Sequence, residues 1–218
     1  MPNWCYNQEV IIGPEDEIRP LYNDLSKWTS EEYIENGFGT EWLGNIVARG
    51  INESREYENY ACRGKIIDLF EPEKTDDGSE YKISFSSETA WAPMPGMWYA
   101  LLKKRAPNCR YYYYAEEPGC EIYCSNDVEH ENFTDETVIT AYVENEDMKY
   151  LSDELRHSLQ WDDSYRGYSC EDIKDILSNL FNDKNAFMEE LVNRFNEEYG
   201  SFGDGSFITI HIIAYEED

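Results

Sequence analysis

Hydrophobic and polar positions alternate at the start of the chain and then give way to helical spacing. The segment 3–12 ends in the apolar run Val10-Ile11-Ile12 and is followed by Gly13-Pro14, which predicts a strand closed by a turn. Three acidic residues at 15–17 then stand where a first helical turn favours negative charge, and apolar residues recur at helical spacing as far as Leu25. The chain is therefore predicted to begin with a strand, a turn and a helix.

The middle of the chain repeats this order after an irregular stretch at 29–79. Alternation over Tyr81–Glu88 predicts a half-buried strand. The segment WAPMPGMWYALLKKRAP predicts a helix that starts after its prolines and ends at its basic residues, and CRYYYYAEEPG and CEIYC predict two more strands. This order favours an α+β fold in which helices cover one face of a mainly antiparallel sheet.

The remainder of the chain is more polar and more helical. The pattern predicts a loop after residue 125, a short strand at TVITAYV, helices at about 146–160 and 170–199 with a break near Asn182, and a terminal strand at FITIHIIAY. We therefore divide the chain into an N-terminal domain at 1–125 and an acidic helical extension with a terminal strand at 126–218. Two arrangements stay open: the terminal strand joins the N-terminal sheet, or residues 126–205 form a separate domain.

The composition is strongly acidic. The 218 residues contain 46 Asp and Glu against 18 Lys and Arg, a formal net charge of −28, while 41% hydrophobic and 15% aromatic residues supply a core. Such a charge repels nucleic acid and anionic membranes and attracts basic surfaces. The chain has no apolar run long enough to span a membrane and no basic, apolar secretory leader, so we expect a cytoplasmic protein whose six cysteines are thiols.

Three segments together resemble a known family. MPNWCYNQEVIIGP, ETAWAPMPGMWYALLKKRAP and YYYYAEEPGCEIY, in this order, are similar to the YubB ferredoxin-like family of bacterial plasmid and phage proteins, and the likeness covers roughly residues 1–125. The resemblance implies a ferredoxin-like antiparallel sheet, an origin on mobile elements and a bacterial host. It implies no catalytic motif and no iron–sulfur cluster.

The residue types that carry chemistry point to no catalytic or metal centre. None of the hydrolase, P-loop, zinc-protease or kinase motifs occurs, and the three histidines are dispersed. Cys120 and Cys124 would point to the same face if CEIYC is a strand, but no second pair completes a zinc site. Trp4, Cys5, Trp91 and Trp98 could line a ligand pocket, and we interpret them instead as core residues. We therefore predict no cofactor, no metal and no enzymatic activity.

An acidic tract at 116–163 is the remaining candidate site. Its carboxylates are predicted to bind the partner: Glu116, Glu117, Asp127, Glu129, Glu131, Asp135, Glu136, Glu144, Glu146, Asp147, Asp153, Glu154, Asp162 and Asp163. We predict that they occupy the basic nucleic-acid groove of a host defence enzyme, a nuclease of the CRISPR or restriction type, by imitating phosphates. The alternative is a structural or small-ligand module of a mobile element whose charge is merely solvated.

Overall fold

The computed structural model describes residues 2–31, 33–34, 38–51, 59–159 and 166–216. The chain forms two compact units: unit 1 comprises residues 1–132 together with 215–218, and unit 2 comprises residues 133–214. The predicted boundary at residue 125 is thus displaced to residue 132, because the loop after residue 125 belongs to unit 1. Within the described ranges, no helix is both long enough and apolar enough to cross a membrane.

The helices and strands follow the predicted α+β order. In chain order they are β1 (Trp4–Gly13), α1 (Glu15–Ser30), α2 (Leu43–Gly50), β2 (Gly64–Leu69), β3 (Glu73–Lys74), β4 (Tyr81–Ala90), α3 (Pro95–Arg105), β5 (Arg110–Glu117), β6 (Ile122–Ser125), β7 (Thr137–Tyr142), α4 (Asp153–Ser158), β8 (Arg166–Tyr168), α5 (Cys170–Phe181), α6 (Met188–Tyr199), β9 (Phe207–Ile212) and β10 (Ala214–Tyr215).

The sheet of unit 1 is antiparallel at every pairing of β1, and β1 lies at its centre. The strand order is β10-β6-β5-β1-β4-β2, with the short β3 also paired to β4. Along β1, Cys5 and Ile11 point into a core cluster that includes Leu21 of α1 and Trp98 of α3. The helices therefore pack on the face of the sheet that carries the odd-numbered residues of β1. Its even-numbered residues lie on the opposite face, which we call the outer face.

Unit 2 has a sheet and a core of its own. Its three strands are ordered β8-β7-β9, and Ile139, Ile210 and Phe195 belong to a core cluster that also contains residues of α4 and α5. The arrangement in which the terminal strand joins the N-terminal sheet is wrong for Phe207–Ile212, because these residues pair with β7. Of the described part of the terminal segment, the two-residue β10 extends the sheet that contains β6.

Several element predictions also need correction. The helix predicted at 170–199 is broken as expected, since Asn182 takes a left-handed conformation (φ 51°) that caps α5. The helix predicted at 146–160 is instead a 3₁₀ turn at Met148–Tyr150 followed by the short α4. The region 29–79, which has no regular pattern in sequence, contains α2, β2 and β3.

Candidate interaction surfaces

The predicted acidic tract is divided between the two units. Unit 1 contains Glu116, Glu117, Asp127, Glu129 and Glu131, and unit 2 contains Asp135, Glu136, Glu144, Glu146, Asp147, Asp153 and Glu154. Asp162, Asp163 and the side chain of Glu154 lie outside the described part of the chain. The members differ in exposure, and this difference separates carboxylates that maintain the fold from carboxylates that a partner could reach.

Three of the predicted partner-binding carboxylates are buried. Glu117, Asp127 and Asp147 expose 4%, 1% and 5% of their surface. Asp127 accepts a hydrogen bond from the backbone N–H of Asn132 at 2.6 Å, and Glu117 accepts one from the N–H of Gly119 at 3.0 Å. Because each carboxylate fixes a turn within its own unit, these three are not candidates for surface contacts.

Asp147 has the same kind of role in unit 2. Its carboxylate accepts hydrogen bonds from the Ser206 hydroxyl at 2.6 Å and from the N–H of Asp204 at 2.9 Å. The bond from Ser206, followed by that from Asp204, lowers the pKa of Asp147 below its ordinary value. The turn before β9 is thus held by an ionised side chain that the sequence had suggested for partner binding.

Three further carboxylates of the tract have partners but reach the surface. Glu136 accepts a hydrogen bond from the N–H of Cys170, the first residue of α5, at 2.6 Å. Glu116 accepts one from the Tyr114 hydroxyl at 3.2 Å, and Asp153 pairs with Arg156. These contacts orient the carboxylates locally. They leave part of Glu116 and Glu136 and nearly all of Asp153 accessible to solvent.

The other exposed members are Asp135, Glu129, Glu131, Glu144 and Glu146. Desolvation raises the pKa of Asp135, whose carboxylate lies so close to Gly167 that a Cβ at that glycine would clash with it. Among the salt bridges within the described part of the chain, none involves Glu129, Glu131, Glu144 or Glu146. These four carboxylates therefore form no ion pair with a basic side chain of the described segments, although Glu144 accepts a hydrogen bond from the Tyr142 hydroxyl.

The outer face of the unit 1 sheet presents exposed aromatic rings. Trp4 and Tyr6 of β1 expose 47% and 36% of their surface. Beyond the end of β4, Trp91 exposes 48%, and its backbone N–H donates to the carbonyl of Asn3. The interpretation of Trp4 and Trp91 as core residues is therefore wrong, whereas it is confirmed for Cys5 and Trp98, which are buried. Trp91 also takes a left-handed backbone conformation (φ 75°), which is uncommon for a bulky residue.

Carboxylates flank Tyr6 on both neighbouring strands. Tyr6 is the register partner of Glu88 on β4 and of Glu116 on β5, and Lys65 on β2 is the partner of Glu88. Register partners share a face of the sheet, and their Cβ atoms lie about 4.5–5.5 Å apart. The result is a row across four strands, Lys65–Glu88–Tyr6–Glu116, which we call the Tyr6 row. Lys65 Nζ lies 3.5 Å from Glu88 Oε2, so one carboxylate of the row already pairs with a cation.

A polar network is buried on the other face of the same sheet. Glu9 is 3% exposed, and its Oε1 accepts a hydrogen bond from the Tyr111 hydroxyl at 2.7 Å, while Oε2 is buried without a hydrogen-bond partner. Burial raises the pKa of Glu9 from its ordinary value of 4.5 to about 7. Asn7, two residues earlier, donates hydrogen bonds to Ser87 Oγ and Thr89 Oγ1 of β4 at 3.1 and 3.0 Å.

The described cysteines include one, Cys109, that borders a cleft. A cleft of about 400 Å³ is bordered by Tyr99, Lys103 and Cys109, but burial raises the pKa of Cys109 to about 12, so its thiol stays protonated. Cys120 is exposed in a 3₁₀ turn and Cys124 is buried in β6, so the premise that both belong to one strand is wrong. Across the residues that the structure describes, no three His, Cys, Asp or Glu side chains form a group suited to a metal ion.

Comparison of this chain with protein-family models, with curated proteins and with solved structures yields no match.

Proposed function

We propose that this chain is an acidic binding protein that occupies the basic nucleic-acid groove of a defence enzyme in a bacterial host, such as a CRISPR or restriction nuclease, and so inhibits it. The observation that carries the proposal is the set of exposed carboxylates Glu129, Glu131, Glu144 and Glu146, which make no salt bridge within the described segments. A formal charge of −28 adds a long-range attraction to any basic groove.

The mechanism is competition by charge. Lys and Arg side chains that line a nucleic-acid groove normally contact phosphates, and exposed carboxylates offer them the same charge-assisted hydrogen bonds, which for Arg can be bidentate. Each of the two units contributes carboxylates of its own, so the proposal does not require that all of them form one continuous surface. Such binding neutralises charge at the surface, and salt therefore weakens it.

We further propose that unit 1 is ferredoxin-like and that the chain belongs with the mobile-element proteins of the YubB family. Support for the topology comes from the order β5-β1-β4-β2, with α1 between β1 and β2 and α3 between β4 and β5. This order matches the βαββαβ arrangement, in which two split βαβ units share one antiparallel sheet, while α2, β3, β6 and β10 are additional to it. The family assignment rests on the three sequence segments alone.

The test is capture from a bacterial host lysate at low salt, repeated at about 0.5 M salt. The variant Glu129→Gln/Glu131→Gln/Glu144→Gln/Glu146→Gln removes four negative charges without touching the buried Glu117, Asp127 or Asp147. Its matched control, Asp16→Asn/Glu71→Gln/Asp175→Asn/Glu197→Gln, removes four exposed charges elsewhere, two in each unit.

We expect the native protein and the control to capture a nucleic-acid enzyme at low salt and to block its binding to duplex DNA. The first variant and the high-salt wash should abolish both effects. If the variant retains the enzyme as well as the control does, or if a captured protein still binds DNA freely, the charge-competition proposal is wrong. The alternative function, a structural or small-ligand module of a mobile element whose charge is merely solvated, then explains the protein better.

A further inference from the structure

The outer face of unit 1 combines exposed aromatic rings and carboxylates in a fixed register. The backbone hydrogen bonds of β1, β4 and β5 hold Tyr6 between Glu88 and Glu116, so the ring and both carboxylates are positioned by the sheet and not by flexible loops. Trp4 lies two residues from Tyr6 on the same face of β1, with nearly half of its surface exposed. Rigid aromatic side chains in contact with solvent are typical anchors of binding surfaces.

The chemistry of the row favours a cation with a flat, delocalised charge. A guanidinium group can stack on an aromatic ring within about 6 Å while its N–H groups pair with carboxylates at the edge. The ammonium group of lysine is compact and more strongly hydrated, and it pairs with a carboxylate without this planar stacking. Arginine therefore matches the Tyr6 row better than lysine does.

The chain itself places a cation at one end of the row. Lys65 pairs with Glu88 at 3.5 Å, with 53% of the lysine side chain and 35% of the glutamate side chain exposed. This exposed ion pair leaves Glu116 on the other side of Tyr6 without a basic partner in the row. It also means that an incoming arginine competes with Lys65 for Glu88.

We propose that the Tyr6 row is an arginine-binding site, in which the guanidinium group of an arginine from the protein partner stacks on Tyr6 and pairs with Glu116 and Glu88. The inference rests on the proposed function, because it names the contact through which unit 1 recognises the basic partner. Trp4 extends the aromatic surface along β1 for the neighbouring part of the same segment.

The probe is a fluorescently labelled peptide in which two arginines are separated by Gly-Ser spacers, together with an analogue in which lysine replaces both arginines. Binding to the full chain is followed by fluorescence anisotropy at low salt. Tyr6→Thr removes the ring but keeps a residue that favours strands, and Tyr6→Phe keeps the ring. The exposed Tyr150 of unit 2 provides the control Tyr150→Ala.

We expect the arginine peptide to bind more tightly than the lysine peptide. Tyr6→Thr should weaken arginine binding by about two- to fivefold, as loss of an exposed cation–π contact implies. It should also erase the preference for arginine, while Tyr6→Phe and Tyr150→Ala keep that preference. Glu116→Gln should weaken arginine binding by a similar factor, about two- to fivefold, and Glu71→Gln should not.

A substitution at Lys65 tests the same site by strengthening arginine binding, whereas the variants above weaken it. Lys65→Met frees Glu88 and should tighten arginine binding by about two- to fivefold. Lys27→Met, which removes an exposed cation from α1, changes the net charge equally and should have less effect. Equal tightening by the two variants would show that only net charge matters, which overturns the site.

The outcomes separate this site from the proposed function. If the enzyme captured from lysate depends on the four exposed glutamates but not on Tyr6 or Glu116, the arginine site is wrong and the proposed function stands. If arginine selectivity depends on Tyr6 while no nucleic-acid enzyme is captured, the site stands and the proposed function is wrong. Equal affinity for the two peptides, or an arginine preference that survives in Tyr6→Thr, overturns the site.

Discussion

At the scale of single residues, burial decides which carboxylates maintain the fold. Glu117, Asp127 and Asp147 all belong to an acidic tract in the sequence, yet each is enclosed by backbone or hydroxyl donors of its own unit. Composition could not separate them from the exposed Glu129 and Glu146, because a carboxylate that caps a turn and one that faces solvent occur in similar polar segments.

For the aromatic residues the error runs the other way, because Trp4 was interpreted as a core residue and is exposed. Trp4 and Cys5 are adjacent, but alternation along β1 sends Cys5 into the core and Trp4 and Tyr6 to the outer face. The sequence pattern does not show which set faces the core, since Cys5, Asn7, Glu9 and Ile11 include two polar residues, whereas Trp4 and Tyr6 share their set with Val10 and Ile12. Alternation and the general preference of tryptophan for the interior both favoured the wrong face for Trp4.

The buried Glu9 should give the protein a distinct pH dependence. Its folded-state pKa of about 7 lies above the ordinary 4.5, so the folded protein holds this proton more tightly than the unfolded chain does. The stabilisation is complete below about pH 4.5 and is lost as the pH rises through about 7. Glu9→Gln keeps an oxygen that can accept the Tyr111 hydrogen bond and removes the titration.

The free energy of unfolding of Glu9→Gln, relative to the native protein, should therefore rise on the order of 3 kcal/mol across this range. Urea unfolding at about pH 5 and about pH 8 measures the difference, in which the other titrating groups cancel. Glu71→Gln is the exposed control and should follow the native protein at both values. A Glu9→Gln curve parallel to the native one would mean that Glu9 is ionised in the folded state.

At the scale of elements, the helix α6 completes the edge of the second sheet with one side chain. Asn196 donates from Nδ2 to the carbonyl of Ile210 at 2.8 Å, and its Oδ1 accepts from the N–H of Ile210 at 2.9 Å. Ile210 is 1% exposed, and among the described strands β9 pairs with β7 alone, in the order β8-β7-β9. The amide thus supplies the two hydrogen bonds that a further strand would have made.

Asn196→Ala should lower the free energy of unfolding by about 2–4 kcal/mol, because it leaves two buried backbone groups unpaired. It should also speed hydrogen exchange at the Ile210 amide. The control is Asn193→Ala, an exposed position one turn earlier on α6, which should change neither quantity appreciably. Unchanged exchange at Ile210 in Asn196→Ala would contradict this role of the amide.

The elements themselves were the most predictable part of the structure. Regular alternation and helical spacing predicted β1, α1, β4, α3 and β9, because each of these elements buries one face against a core. The short α4 and the two-residue β3 and β10 have too few residues to show any period. The partner of β9 could not be predicted, since strand pairing depends on contacts distant in sequence.

At the scale of the whole molecule, the chain leaves unit 1 and then returns to it. Glu216 accepts a hydrogen bond from the Tyr113 hydroxyl at 2.6 Å and donates its N–H to the carbonyl of Ser125 at 2.9 Å. Burial, followed by the bond to Glu216, holds the pKa of Tyr113 well above its ordinary value. The last described residue therefore belongs to the fold of unit 1, although the 82 residues of unit 2, at 133–214, precede it in the chain.

Glu216→Ala should consequently affect unit 1 and spare unit 2. We expect a loss of about 1 kcal/mol, since one partly exposed hydrogen bond to a charged acceptor is removed. Hydrogen exchange should quicken at β5 and β6 and stay unchanged at β7 and β9. Glu197→Ala, an exposed glutamate of α6, is the control. Faster exchange throughout unit 2 in Glu216→Ala would contradict the assignment of this residue to unit 1.

The return of the chain to unit 1 determines how the molecule responds to mechanical force. A pull applied between residue 4 and residue 216 acts first across the sheet of unit 1, where β10 is held to β6 and Glu216 to Tyr113. Unit 2 carries no tension until those few hydrogen bonds break. A stretching experiment should therefore record a small initial release at β10 before any extension from the 82 residues at 133–214.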